Sequence, residues 1–134
     1  MSLFSFIQDL KYSDIPEHTR YLVSTSLMDI LGVVAGAKEN ETTSNIRNYA
    51  ATHYPATDLN CRLLFDGRAV HPMGAAWAGG FSADSLDAHE GHFTSKGHAG
   101  ATVIPALLAL ADACREQGRE ISGEELLTVL AIAY

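Results

Sequence analysis

Residues 72–86 read PMGAAWAGGFSADSL, and this stretch decides the fold. It is built from Ala and Gly around a single Trp, Trp77, and it follows a proline suited to a helix start. Small side chains let neighbouring helices approach closely, so the segment predicts a helix buried at the centre of a bundle. The pair Gly79-Gly80 costs helix propensity, about 1 kcal/mol each relative to Ala. That cost predicts a packing or functional reason for both.

The pattern on either side is helical as well. Leu27, Ile30, Leu31 and Val34 recur at i, i+3, i+4 and i+7, one apolar helix face, with Gly36 as its stop. Asp14 and Glu17 have capping-box spacing before that face, and Pro16 falls in the first turn. A short helix is expected over 43–53, with Pro55 beyond its end. Residues 61–70, CRLLFDGRAV, fit either a small hairpin or a plain loop around Asp66-Gly67. Pro105 is expected to open a helix carrying Leu107, Leu108 and Leu110, closed by Gly118. Ser122 and Glu125 then form a second capping box before LLTVLAIAY. This last segment is almost wholly apolar and predicts a helix buried on most sides. The expected class is all-α: residues 1–134 form a single helical unit. The bare apolar end suggests an incomplete domain of a longer enzyme, or a surface for a partner chain.

Composition narrows the partners. The chain has 134 residues, 47% hydrophobic and 19% charged, and a formal net charge of −7. This is a globular composition, and its acidic balance argues against nucleic acid. No apolar run approaches the roughly 20 residues needed to span a bilayer. No leader-like segment opens the chain, and the two cysteines, Cys61 and Cys114, are read as buried free thiols. A cytoplasmic location, no membrane and no nucleic-acid partner are expected.

Chemistry concentrates between Asp84 and His98, which hold Asp84, Asp87, His89, Glu90, His92, Thr94, Ser95, Lys96 and His98. Three of the six histidines fall within ten residues. Histidine transfers protons near neutral pH, and a nearby carboxylate fixes its tautomer. Lys96 beside His98 would supply positive charge for an anionic substrate. Gly97 and Gly100 bracket His98 and would let backbone approach a ligand closely. Set against this is a solvated loop in which Asp87 merely caps a helix end. A metal-dependent hydrolase using His89, His92 and His98 is the other rival, although the spacing matches no helical zinc motif. No dinucleotide, P-loop or nucleophile-elbow motif is present.

These residues, in this order, resemble the MmgE/PrpD family, whose members include 2-methylcitrate dehydratase, cis-aconitate decarboxylase and iminodisuccinate epimerase. Asp29-Ile30-Leu31-Gly32 fits the family's D-x-L-G segment, and Gly74–Gly80 fits its small-residue helix. Asp87 falls on the first Asp of the family's D-x-D-D group, and His98 on its H-P histidine. Pro105–Ala111 fits the following Leu/Ala helix. The chain departs from the pattern at Asp84, where the family often has His. It departs again at Ala88-His89-Glu90, in place of x-D-D, and at Ala99, in place of Pro.

The resemblance implies a cofactor-independent lyase or isomerase that abstracts a proton from a small di- or tricarboxylate, without metal. It implies Asp87 and His98 as the acid–base residues, with Lys96, His92, Thr94 and His89 as substrate-binding candidates. Further catalytic lysines and a tyrosine would lie beyond residue 134. An N-terminal fragment, catalytically weak alone, follows as an expectation. So does a homo-oligomer, or pairing with the missing C-terminal half. The alternative is a non-enzymatic helical module that pairs through its apolar C-terminal helix.

Overall fold

A computed structural model describes residues 2–134. In chain order the elements are helix α1 (Leu3–Asp9), α2 (Glu17–Gly36) and α3 (Glu41–His53). Strands β1 (Cys61–Arg62) and β2 (Ala69–Val70) follow, then α4 (Pro72–Asp84), α5 (Ala99–Glu116) and α6 (Gly123–Ala133). The architecture is all-α with one minimal hairpin. Its antiparallel register pairs Cys61 with Val70 and Arg62 with Ala69. Among the described residues no single helix is long and apolar enough to cross a membrane.

Helix α4 lies at the centre, against α2, α3 and α5. It starts with His71 as N-cap, whose Nδ1 accepts from the Met73 N–H at 3.3 Å, and with Pro72 in the first turn. Its small residues set the closeness of α4 and α5. A Cβ placed on Gly79 would lie 2.6 Å from the Pro105 Cβ, and one on Gly80 would lie 3.3 Å from the Ala101 carbonyl oxygen. The glycine pair therefore has a packing reason. A third, Gly74, leaves room for Tyr54, whose Cβ would lie 2.5 Å from an added methyl.

Helix α5 opens at Ala99, not at Pro105, and carries that proline inside it. Pro105 has no N–H, so the Ala101 carbonyl four residues earlier loses its usual helical donor. The buried Pro105 ring instead fills the notch that Gly79 leaves. The proline inside α5 packs across the crossing, a tertiary contact that local propensity does not contain.

Other helix ends also differ from expectation. Asp14 does not cap α2. Its carboxylate accepts from the Lys11 N–H at 3.1 Å, closing a single 3-10 turn over Tyr12–Asp14, and α2 starts directly after Pro16. The Ser122 cap forms as expected, accepting from the Glu125 N–H at 3.1 Å. Gly118, in the left-handed conformation at φ 82, ends α5. Helix α1 has no counterpart in the apolar pattern, and none of its residues is buried.

Two apolar clusters form the core. One joins Ala50, Cys61, Val70, Ala75, Ala78 and Ala109 between α3, the hairpin, α4 and α5. The other joins Val23, Ile30, Val34, Ala83, Ile104 and Leu130 between α2, α4, α5 and α6. Cys61 is a buried free thiol, as read from sequence, and burial pushes its pKa up to about 11. Cys114 is also free but only half-buried. Helix α6 is less covered than its composition predicts. Only Leu130 is fully buried, and Val129 is 40% exposed.

The glycines give a paired stability test. Gly79→Ala should destabilise by about 1–3 kcal/mol, because overpacking against Pro105 exceeds the gain in propensity. Gly32→Ala, with nothing within 4 Å of the added methyl, should stabilise by up to about 1 kcal/mol. Urea denaturation of both variants reads the two signs.

Candidate functional site

The segment between α4 and α5 is tied down by its backbone and by two carboxylates. Helix α4 ends in a turn in which the Asp87 N–H donates to the Asp84 carbonyl at 3.0 Å, with Asp87 left-handed at φ 48. The Glu90 N–H then donates to Asp29 Oδ2 on α2 at 2.9 Å. Asp29 belongs to the D-x-L-G segment, so that motif serves here to hold the loop against α2.

Glu90 is the second anchor. Its Oε1 accepts from the Gly100 N–H at 2.7 Å and from the Tyr134 hydroxyl at 2.7 Å. Glycine at position 100 leaves room for this arrangement, since a Cβ there would displace Glu90 Oε1 and the Tyr134 hydroxyl. The close approach expected at Gly100 is thus real, but it admits protein atoms and not a ligand. Gly97 faces open space. Gly91, which the sequence did not single out, is the residue that makes room for His98: a Cβ on it would lie 2.8 Å from both Cε1 and Nδ1 of that ring.

His98 is the N-cap of α5, yet its side chain makes no capping bond. Its Nδ1 lies 2.8 Å from the Glu90 carbonyl oxygen. The His89 ring sits beside it, with centroids 4.5 Å apart. The His89 side chain is only 1% exposed, and neither ring nitrogen has a hydrogen-bond partner among the described residues. The nearest charge is Asp84 Oδ1, 3.6 Å from Nε2. Both histidines line a cleft of about 440 Å³ between α4 and α5, with Asp84 at one side and Trp77, Phe81 and Thr102 around it.

The remaining expected residues fall elsewhere. Asp87 is exposed, makes no side-chain hydrogen bond among the described residues, and does not line this cleft, so the structure does not join it to His98. Asp84, three residues earlier, is the carboxylate at the cleft. His92, Thr94 and Lys96 build the loop tip. The Thr94 hydroxyl lies 3.0 Å from His92 Nδ1, and the Ser95 N–H donates to the same nitrogen at 3.3 Å. The Lys96 N–H donates to the His92 carbonyl at 2.8 Å. Lys96 lines an adjoining hollow of about 410 Å³ that also includes Phe93 and His98. No three His, Cys, Asp or Glu side chains come together as a metal-ligand set among the described residues. The zinc reading of His89, His92 and His98 therefore gains no support from geometry.

A larger concavity of about 700 Å³ lies beside β1 and α5, but its two cations, Arg62 and Arg115, are already paired. Arg62 and Arg115 both hold Asp112, and the first of these bonds draws the Asp112 carboxyl below its ordinary pKa. Arg68 does the same to Asp66. The lining of this hollow contains no histidine, and two of its carboxylates, Asp66 and Asp112, are held by arginines.

Tyr134 marks the anchored side of the site. As a residue it is 47% exposed, but its hydroxyl end is turned in towards Glu90. Burial first, and the bond to Glu90 second, push its pKa up to about 12. The unfolded phenol ionises near 10. The folded state keeps its proton between about pH 10 and 12 while the unfolded state loses it, so this group lowers stability as pH rises through that window. A titration followed at 295 nm should show a late phenol step near pH 12 in the folded protein. That step should vanish in Tyr134→Phe and when urea unfolds the chain.

The MmgE/PrpD N-terminal domain family model matches residues 1–134. No curated protein and no solved structure matches the chain. The full-length family match agrees with the order of motifs laid over α2, α4, the anchored loop and α5, and the chain belongs to the MmgE/PrpD family as its N-terminal domain.

Proposed function

We propose that this domain carries the histidine half of a cofactor-independent lyase or isomerase, 2-methylcitrate dehydratase-like, acting on a small di- or tricarboxylate. The observation that carries the reading is His98. It is held by Nδ1 at the Glu90 carbonyl, beside the unpartnered ring of His89, at a cleft large enough for a small acid. Nε2 of His98 would take the proton from the carbon next to a substrate carboxylate. In a dehydration the electron pair left behind would form the carbon–carbon double bond as the β-hydroxyl departs, taking a proton from the imidazolium to leave as water. In an epimerisation the same carbon would be reprotonated. In a decarboxylation the bond to CO₂ would break first, and the protonated His98 would deliver its proton to the carbon that keeps the pair. His89 would donate to a carboxylate or hydroxyl oxygen of the substrate, ending the isolation of its ring nitrogens. Lys96 adds charge from the adjoining hollow. Asp87 would then serve at the rim, and Asp84 would steer His89.

Titration with citrate, 2-methylcitrate and cis-aconitate, read on the histidine ring resonances, tests this. Shifts at His89 and His98 are expected. His98→Gln should lower deuterium exchange into the bound acid by about 10²–10⁴-fold when the C-terminal part of a family enzyme is supplied in trans. If no small carboxylate moves either ring, the reading fails.

One observation favours a second reading, a helical module that pairs through α6: its outer face, with Val129 and Ile132, is only partly covered. Light scattering should then show a concentration-dependent dimer that Val129→Glu abolishes. A monomer at all concentrations removes this reading.

A further inference from the structure

Two helices in this domain begin at a histidine, and the two rings are used in opposite ways. At the start of α4, His71 Nδ1 accepts from the backbone N–H of Met73. An acceptor nitrogen carries no proton, so neutral His71 holds its proton on Nε2. His92 follows the same rule, since its Nδ1 accepts from the Ser95 N–H. At the start of α5, His98 Nδ1 meets a carbonyl oxygen, which can only accept. Neutral His98 therefore holds its proton on Nδ1, and its Nε2 keeps the lone pair.

The difference traces to Glu90. An N-cap side chain ordinarily folds back to satisfy a free N–H of the first turn. In α5 the N–H of the second residue, the one that His71 satisfies in α4, is taken: Glu90 Oε1 already accepts from Gly100. The His98 ring is released from capping. The Glu90 main-chain carbonyl, fixed by the Glu90 N–H bond to Asp29 and by the Tyr134 bond to its carboxylate, then receives the Nδ1–H. Gly91 leaves the ring the space to do so.

We propose that Glu90 is a positioning residue for His98: its carboxylate caps α5 in the histidine's place, while its carbonyl oxygen locks the imidazole in the Nδ1–H tautomer with Nε2 free as a base. This deepens the reading of His98 as the proton acceptor and takes its catalytic meaning from it. The tautomer itself is a property of the folded chain and needs no substrate.

Long-range proton–nitrogen correlation spectra of the histidine rings, recorded above the pH at which they are neutral, test the assignment. In the unaltered chain His98 should show a protonated Nδ1 and a lone-pair Nε2. His71 and His92 should show the reverse and serve as internal controls. Glu90→Ala should free the Gly100 N–H, let His98 turn to cap α5, and shift its ring to the Nε2–H form. Glu90→Gln, which still presents an acceptor oxygen to Gly100, should keep the Nδ1–H form. A plain structural role for Glu90 predicts no change of tautomer in a folded Glu90→Ala chain, and that result overturns the proposal. An Nε2–H pattern for His98 in the unaltered chain overturns it whether or not any variant folds. Since neither readout depends on turnover, a correct tautomer with no carboxylate binding separates failure of the proposed function from failure of this inference.

Discussion

The close contact between α4 and α5 is the constraint on which the rest of the domain depends. Gly79 receives the ring of Pro105, and Gly80 comes within reach of the Ala101 carbonyl. Interiors pack at crystal-like density, so a single methyl at such a crossing has to be accommodated by moving whole elements. This crossing fixes where α4 ends and where α5 begins. The fourteen-residue connection 85–98 must then span those two ends, and every group in it is placed relative to two rigid helices. The site thus inherits its precision from a contact that contains no functional residue.

The connection itself is held by carboxylates used as hydrogen-bond acceptors. Asp29 takes one backbone N–H from it, and Glu90 takes one from α5 and the hydroxyl of Tyr134, which caps the end of α6. Bonds to a charged acceptor contribute more than neutral ones, about 1.5–3 kcal/mol each. They tie the loop to α2, α5 and α6 at once. One arrangement results: His98 is oriented by Glu90, and His89 is buried beside it with no hydrogen-bond partner among the described residues. An unsatisfied buried imidazole is costly unless a ligand or water completes it. That pairing of a fixed ring with an unfinished one distinguishes this cleft from the larger hollow near Arg62, where each cation already has its carboxylate.

Membership of the MmgE/PrpD family fits this division of labour. The residues that carry the family pattern turn out to have different physical duties. Asp29 is an anchor, Gly79 of the small-residue helix is contact surface for Pro105, Ala76, Trp77 and Gly80 of that helix form one wall of the cleft, and His98 is the titratable pattern residue that lines it. The positions where the chain departs from the pattern are informative too. Asp84 stands beside His89, and Glu90 supplies the cap of α5. The departures lie together in space, as a set of mutually adjusted residues would.

Much of this was legible in the residues alone. Apolar periodicity marked α2, the Ala/Gly composition marked α4 as central, Ser122 marked the start of α6, and the density of ionisable groups marked the loop. These signals are local: each rests on neighbours within about one or two helical turns. What the sequence could not determine depends on partners far along the chain. Pro105 inside a helix, Asp84 lining the cleft beside His89, and Gly91 as the space for a ring all follow from contacts across elements. The same holds for Glu90, whose partners come from residues 29, 98, 100 and 134. Composition announced a cluster of acid–base groups, and the tertiary structure chose among them. Which imidazole is oriented, which is left unpaired and which merely folds the loop is set by the geometry between helices, and that geometry has no local code.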